Sequence, residues 1–235
     1  MKRILIASTS TVHGSGYLDY LMNDLSVFFE NTSDILFIPY ARPSGISHED
    51  YTKKVNEAFN KIGKSAIGLH EFDNPAAAIK KAEGIFTGGG NTFVLVNQLY
   101  KHHLIDALKS AINNGTPYLG TSAGSNICGL TISTTNDMPI VYPPSFKTLG
   151  LVPFNINPHY LNPDPISTHK GETRETRIKE FHQFNTQPVV GLREGSWLEV
   201  KGNSIFLKGN LKARIFELNK EPYEVESGTN LSSLK

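Results

Sequence analysis

YLGTSAGSN, at residues 118–126, places a serine between two glycines directly after a short apolar run. Gly120, Ser122 and Gly124 match the G-x-S-x-G pattern of a nucleophile elbow, in which a sharp strand-to-helix turn exposes the serine oxygen. Tight turns of this kind also favour small residues for packing alone. The stretch therefore predicts a strand, a turn and the start of a helix, and it leaves catalysis by Ser122 as one of two interpretations.

The same succession of strand, turn and helix recurs on the amino-terminal side of this stretch. Further strands are predicted at residues 3–8, 34–41, 65–72 and 84–90, and helices at 18–28, 48–63 and 75–82. Two more helical segments separate residue 90 from the strand at 117–121. Nearly continuous apolar strands that alternate with helices predict an α/β fold, with a mostly parallel sheet covered by helices on both faces.

The carboxyl-terminal half has a different pattern. Residues 131–146 are rich in threonine and proline, residues 171–184 read as a helix, and the last fifty residues contain short segments typical of antiparallel strands that finish the sheet. We find no linker, internal repeat or low-complexity tract, so we expect one domain over residues 1–235.

Composition limits the classes of partner. Apolar residues make up 39% and charged residues 19% of the chain, and the net charge of +1 gives no broad field that would attract nucleic acid or an anionic membrane. The single cysteine, Cys128, forms no internal disulfide, and no apolar run approaches the length of a membrane span. We expect a soluble, cytoplasmic protein with a small-molecule partner.

Catalysis by a serine requires a base within hydrogen-bond reach, usually a histidine. Of the eight histidines, His13, His159 and His169 lie in predicted loops. His159 follows a short apolar run and stands between a proline and an aromatic residue, which would fix its backbone and shield its ring. From position alone, a loop histidine that caps a turn explains His159 equally well.

The base in turn requires an acid that orients it. Asp137 lies in a loop among mostly uncharged neighbours, although an aspartate just before Pro139 is also typical of an Asx turn. Glu194 is the rival, because it too follows an apolar strand at a turn. The sequence names Asp137 first and leaves Glu194 open.

An oxyanion hole would need two backbone N–H groups near the serine. The amide of Ala123 supplies one in the geometry of an elbow. Gly90, in the turn GGGN at the end of another predicted strand, could supply the second, because glycine lets the backbone approach closely. The same glycines could instead form a simple turn or a phosphate-binding loop.

Six motifs in order give the chain a resemblance to a known family. They are GGGNTF (88–93), GTSAGSN (120–126), TISTTNDMPIV (131–141), NINPHY (155–160), HKGETRETRI (169–178) and LREGSW (192–197). With these motifs the chain resembles the peptidase E family, cytoplasmic aspartyl dipeptidases with a fold related to class I glutamine amidotransferases and of flavodoxin-like type. The resemblance covers most of the chain. Thr121 and Ser125 depart from the tryptophan and alanine usual in that family, which affects the wall of the pocket more than the reaction.

The resemblance implies hydrolysis of dipeptides that begin with aspartate, without a metal or other cofactor. It implies Ser122 as nucleophile, His159 as general base and acid, Asp137 as the acid that orients the histidine, and Gly90 and Ala123 as oxyanion donors. Arg174 would bind the substrate's aspartate side chain, and Glu194 would be a site residue of open role, such as a contact to the substrate amino group. The expected assembly is a monomer or homodimer.

The assignment of Arg174 also has a physical argument. A fixed guanidinium binds a carboxylate through two parallel hydrogen bonds, and a substrate without the carboxylate would leave that cation buried and unpaired. The alternative is a solvated helix residue paired with Glu172 or Glu175, which would contribute little.

Three other functions compete. An α/β-hydrolase esterase would share the G-x-S-x-G pattern, but here the first candidate acid lies only fifteen residues after Ser122, and GGGN is not an HGGG-type motif. A class I amidotransferase would need a cysteine at the elbow, whereas Cys128 lies six residues further on. A catalytically silent member of the fold could use GGGN to hold an anion.

Overall fold

The computed structural model describes residues 1–164, 166, 168 and 170–235. Within them the chain forms eleven strands and seven α-helices. The strands are β1 (Arg3–Ala7), β2 (Asp34–Ile38), β3 (Ser65–Gly68), β4 (Gly84–Thr87), β5 (Tyr118–Thr121), β6 (Asn155–Pro158), β7 (Val189–Leu192), β8 (Ser196–Lys201), β9 (Ser204–Gly209), β10 (Ala213–Phe216) and β11 (Tyr223–Val225). The helices are α1 (Met22–Phe28), α2 (His48–Asn60), α3 (Pro75–Lys81), α4 (Thr92–Lys101), α5 (Ile105–Asn113), α6 (Ala123–Asn126) and α7 (Arg174–Phe181).

The larger sheet has seven strands in the order β3-β2-β4-β5-β1-β8-β9. Its first five strands pair in parallel, and β8 and β9 extend it with antiparallel pairing. The predicted α/β class with a mostly parallel sheet is confirmed, and β5 lies at the centre of the seven strands.

Helices cover both faces of this sheet because its strands carry apolar side chains on both faces. Along β1, Leu5 belongs to the cluster that contains Val55 and Phe59 of α2. Its neighbour Ile4 belongs to the opposite cluster, together with Leu108 of α5. Adjacent residues of a strand point to opposite faces, so one short run anchors helices on two sides.

A second sheet of four strands, in the order β11-β10-β7-β6, was not predicted. We expected the carboxyl-terminal strands to finish a single sheet, but only β8 and β9 join the larger one. The other three strands form the second sheet together with β6, a segment for which no strand is predicted. β6 runs parallel to β7, with Asn155 opposite Val189 and Pro158 opposite Leu192. Parallel pairing across a long connection leaves no local turn pattern in the sequence.

The carboxyl ends of several strands meet at one edge of the fold. β1 ends at Ala7, β4 at Thr87 and β5 at Thr121, and Ala7 lies opposite Thr121 in the register. Ligands of open parallel sheets bind beyond this edge. In the described part of the chain, no helix is long and apolar enough to cross a membrane.

Candidate active site

Ser122 occupies a strained turn between β5 and α6. Its backbone has φ 54° and ψ −110°, a conformation that residues other than glycine rarely adopt. The flanking glycines are required by packing: a Cβ on Gly120 would lie 2.4 Å from the carbonyl oxygen of Gly124, and one on Gly124 would lie 2.2 Å from that of Thr87. Packing therefore explains the two glycines, but it does not explain the strain at Ser122, which is typical of a functional site.

His159 follows β6 and faces the serine. Nε2 of His159 lies 2.8 Å from Oγ of Ser122, within hydrogen-bond distance. The backbone of His159 also has a positive φ of 54°, and its N–H donates to Oγ of Ser8 at 2.8 Å. These contacts place an imidazole where it can take the serine proton.

Ser8 connects the two segments that meet at the site. Its hydroxyl is fully buried and donates to the carbonyl oxygen of Leu192 at 2.7 Å while it accepts the N–H of His159. Sequence reasoning missed this residue. Its position directly after β1, at the carboxyl edge of a parallel sheet, is the signal that could have found it.

Glu194 is the acid that contacts the histidine. Oε1 of Glu194 lies 2.6 Å from Nδ1 of His159. Glu194 stands in a turn closed by the N–H of Ser196, which donates to the carbonyl oxygen of Arg193 at 3.0 Å, and Gly195 takes a φ of +88° in that turn. Glu194 therefore contacts Nδ1 of His159, while Nε2 on the other side of the ring faces Ser122.

Asp137 is placed elsewhere, and its interpretation as the acid that orients His159 is corrected. Oδ2 of Asp137 accepts the backbone N–H of Thr92 at 2.7 Å and the hydroxyl of Thr135 at 3.1 Å. It therefore sits at the amino end of α4, where the helix dipole and an unsatisfied amide favour a carboxylate. Asp137 supports the start of the helix that follows the glycine turn, and Glu194 makes the contact to the imidazole.

The glycine turn at 88–90 lies against the serine. A Cβ on Gly89 would be 2.9 Å from Cβ of Ser122, and one on Gly90 would be 2.2 Å from the carbonyl oxygen of Ala41. The hydroxyl of Tyr51 accepts the N–H of Gly89 at 3.1 Å and lies 3.3 Å from its carbonyl oxygen. Close packing therefore excludes a side chain at both glycines and fixes the turn beside Ser122.

Two amides near the serine differ from their neighbours in their hydrogen bonding. The N–H groups of Gly88, Gly89 and Asn91 donate to acceptors within the protein. Among the described residues we find no acceptor for the N–H of Gly90 or of Ala123. These are the two amides that the sequence predicts as oxyanion donors.

Arg174 is the first residue of α7, and its side chain is half-buried. Nη1 is buried and has no hydrogen-bond partner within the ranges that the structure describes. Burial lowers the pKa of Arg174, while the nearby Glu194 carboxylate opposes that effect. The alternative pairing with Glu175 is not observed, because the Glu175 carboxylate contacts Arg214 and Lys179. The guanidinium is therefore available to an anionic group.

Two further candidates in the described part of the chain, His13 and Cys128, are not brought to this site. His13 is exposed in its loop, and His169 lies outside the described residues. Cys128 is fully buried, its thiol lies 3.4 Å from the carbonyl oxygen of Gly124, and burial raises its pKa. A buried, protonated thiol is a poor nucleophile, which argues against the amidotransferase alternative.

A hydroxyl on a strained elbow, an imidazole in contact with it, and a carboxylate at the far nitrogen of that imidazole together define the geometry of a serine hydrolase. The comparisons with known proteins agree with this class. Peptidase family S51 matches residues 4–208. The chain belongs to peptidase family S51.

Two relatives similar in sequence align with almost the whole chain. It is 48% identical over 231 residues to Peptidase E of Streptomyces coelicolor, covering 98% of this chain and 94% of that protein. It is 42% identical over 236 residues to the probable alpha-aspartyl dipeptidase of Drosophila melanogaster, covering 99% of this chain and 97% of that protein.

Solved structures support the fold. A peptidase from an acI-B1 actinobacterium superposes with a TM-score of 0.73 at 18% identity, covering 98% of this chain and 96% of that one. A putative Peptidase E protein from Listeria monocytogenes superposes with a TM-score of 0.67 at 21% identity, covering 89% of this chain and 98% of that one.

Proposed function

We propose that this chain is a serine-type dipeptidase that hydrolyses dipeptides with an amino-terminal aspartate. The observation that carries the proposal is the pair of short contacts from Ser122 to His159 and from His159 to Glu194. The relatives described as Peptidase E and as an alpha-aspartyl dipeptidase supply the substrate class, through near-complete coverage of the chain.

The reaction begins at the serine hydroxyl. Oγ of Ser122 attacks the carbonyl carbon of the aspartyl residue, and Nε2 of His159 takes the hydroxyl proton. Glu194 accepts the N–H at Nδ1, which holds the ring in the tautomer with a lone pair at Nε2 and stabilises the imidazolium. The negative oxygen of the tetrahedral intermediate accepts hydrogen bonds from the amides of Gly90 and Ala123.

The intermediate then collapses. The C–N bond breaks, the proton on Nε2 passes to the leaving amine, and an aspartyl ester remains on Ser122. Water attacks this ester as His159 takes its proton, and the return of a proton to Oγ releases aspartate. No step requires a metal or a cofactor.

The substrate's side-chain carboxylate is assigned to Arg174. Its guanidinium lacks an acidic partner among the described residues, and partial burial strengthens its interaction with an anion. Asparagine or alanine in place of the aspartate would leave that cation unpaired, so the site should discriminate strongly against both.

The setting of the enzyme is also proposed. We infer one catalytic domain over residues 1–235, supported by a hydrophobic cluster that takes residues from both sheets, including Ile4, Ile85, Val190 and Ile215. We infer a monomer or homodimer in the cytoplasm that acts on small peptides without nucleic acid or a membrane, as the single cysteine and the near-zero net charge favour.

A panel of dipeptides X-Leu, with X as Asp, Glu, Asn or Ala and EDTA present, tests the proposal. We expect hydrolysis of Asp-Leu, little of the others, and loss of several orders of magnitude in Ser122→Ala with unchanged folding. Strong turnover of p-nitrophenyl esters without dipeptide cleavage would instead favour an esterase. Full activity of Ser122→Ala, or loss of activity with EDTA, would contradict the mechanism.

A further inference from the structure

Arg193, the residue before Glu194, is fixed by hydrogen bonds on both terminal nitrogens. Nη1 donates to Oε2 of Glu224 at 2.8 Å and to the carbonyl oxygen of Lys212 at 2.7 Å. Nη2 donates to Oε1 of Glu224 at 2.8 Å. This two-point pairing with a carboxylate is the strongest geometry available to arginine, and the Arg193 side chain is only 15% exposed.

Arg193 also contacts the segment that follows His159. Nη2 donates to Oδ1 of Asn162 at 2.6 Å, and the guanidinium stands over the ring of Tyr160, 5.4 Å from its centroid. One side chain therefore links three parts of the chain: the segment after His159, the turn that carries Glu194, and the β10–β11 region that supplies Lys212 and Glu224.

Glu194 itself has little to hold it. Its side chain is 46% exposed, and its hydrogen bond within the described ranges is the one to His159. A carboxylate in that position depends on its backbone for orientation. The turn at 193–196 contains Gly195 at a positive φ. Its first residue, Arg193, is held in place by the hydrogen bonds of its own side chain.

We propose that Arg193 is a positioning residue that holds the Glu194 turn and the His159 segment in register with each other. It touches no reacting atom and acts through the distance between Glu194 and His159. The inference rests on the proposed function, because the geometry that it maintains matters only if these two residues act on Ser122.

The test uses the full chain and an aspartyl p-nitrophenyl ester in pre-steady-state kinetics. The amplitude of the initial burst counts the competent sites, and its rate measures acylation of Ser122. Arg193→Gln removes the charge and the two-point contact, and Arg193→Lys keeps only the charge. The matched control is Lys212→Gln, which removes a cation paired with Glu226 but keeps the carbonyl oxygen that Arg193 uses.

We expect Arg193→Gln to lower the burst rate by about 10- to 100-fold at full amplitude, since a misplacement of about 1 Å costs that order of rate. Arg193→Lys should recover part of the loss, and Lys212→Gln should behave as the unmodified chain. Asn162→Ala by itself should slow the burst. Combined with Arg193→Gln it should add little, because both substitutions remove the same contact.

An unchanged burst rate in Arg193→Gln overturns the proposal. The proposal is also overturned if the burst amplitude and the melting temperature of Arg193→Gln both fall while the burst rate stays constant, because that pattern belongs to a purely structural residue. These results differ from failure of the proposed function, in which the unmodified chain itself gives neither a burst nor cleavage of Asp-Leu.

Discussion

Glu194 and His159 meet through Oε1 and Nδ1 at 2.6 Å, on the side of the imidazole away from Ser122. The two residues come from the ends of β7 and β6, which are neighbours in the smaller sheet. The orientation of the candidate base therefore depends on the pairing of two strands outside the sheet that carries the nucleophile.

The first prediction compares the two acids. Glu194→Gln should lower kcat on Asp-Leu by about 10⁴-fold, because an amide leaves the histidine in the wrong tautomer. Asp137→Asn should cost far less activity and at most about 1 kcal/mol of stability, as expected for a group at a helix amino terminus. Steady-state kinetics and thermal unfolding of both variants measure the difference. A larger kcat loss in Asp137→Asn would return the orienting role to Asp137.

The second prediction concerns substrate selection. Arg174→Gln should lower kcat/KM for Asp-Leu by up to about 10⁴-fold and leave the slow cleavage of Asn-Leu nearly unchanged, because only the former substrate carries the charge that Arg174 pairs. Arg177→Gln is the control, since Arg177 lies exposed on the same helix. Equal losses on both substrates would indicate that Arg174 has a structural role.

The third prediction concerns Ser8. Ser8→Ala leaves the N–H of His159 and the carbonyl oxygen of Leu192 without their shared partner, so both stability and kcat should fall, the stability by about 1–3 kcal/mol. Thr32→Val removes a buried hydrogen bond to Phe29 and serves as the control. It should lower the melting temperature but leave kcat intact. If the two variants lose stability alone, Ser8 does not position His159.

The fourth prediction concerns Cys128. Because burial raises the pKa of its thiol, the thiolate fraction at pH 8 is very small, and iodoacetamide should not modify the folded protein. After unfolding in guanidinium chloride, one thiol per chain should react. Mass spectrometry counts the adducts, and rapid modification of the folded chain with loss of activity would reopen a role for the cysteine.

The sequence pattern predicts most of what is local. Apolar runs locate the first five strands and the helices between them, and G-x-S-x-G locates the elbow with its two close-packed glycines. The loop position of His159 and the family resemblance predict it as the base, and the structure brings it to Ser122. Each of these features is encoded within a few neighbouring residues.

What the pattern does not predict is non-local. Asp137 and Glu194 are both acids in turns, and nothing within either segment says which one reaches His159. The choice depends on the pairing of β6 with β7 across about thirty residues, and on Asp137 meeting the amino end of α4, 45 positions earlier in the chain. The second sheet is not predicted for the same reason, because no turn joins β6 to its partner β7.

The left-handed backbone at both Ser122 and His159 has a consequence for protein engineering. Each non-glycine residue held in that region costs on the order of 1–3 kcal/mol, which the surrounding fold must offset. A laboratory selection for heat resistance alone would therefore enrich glycine at these two positions, and the most heat-resistant variants would be inactive. Selection for thermal tolerance should be coupled to a growth requirement for peptide cleavage, so that the two traits are kept together.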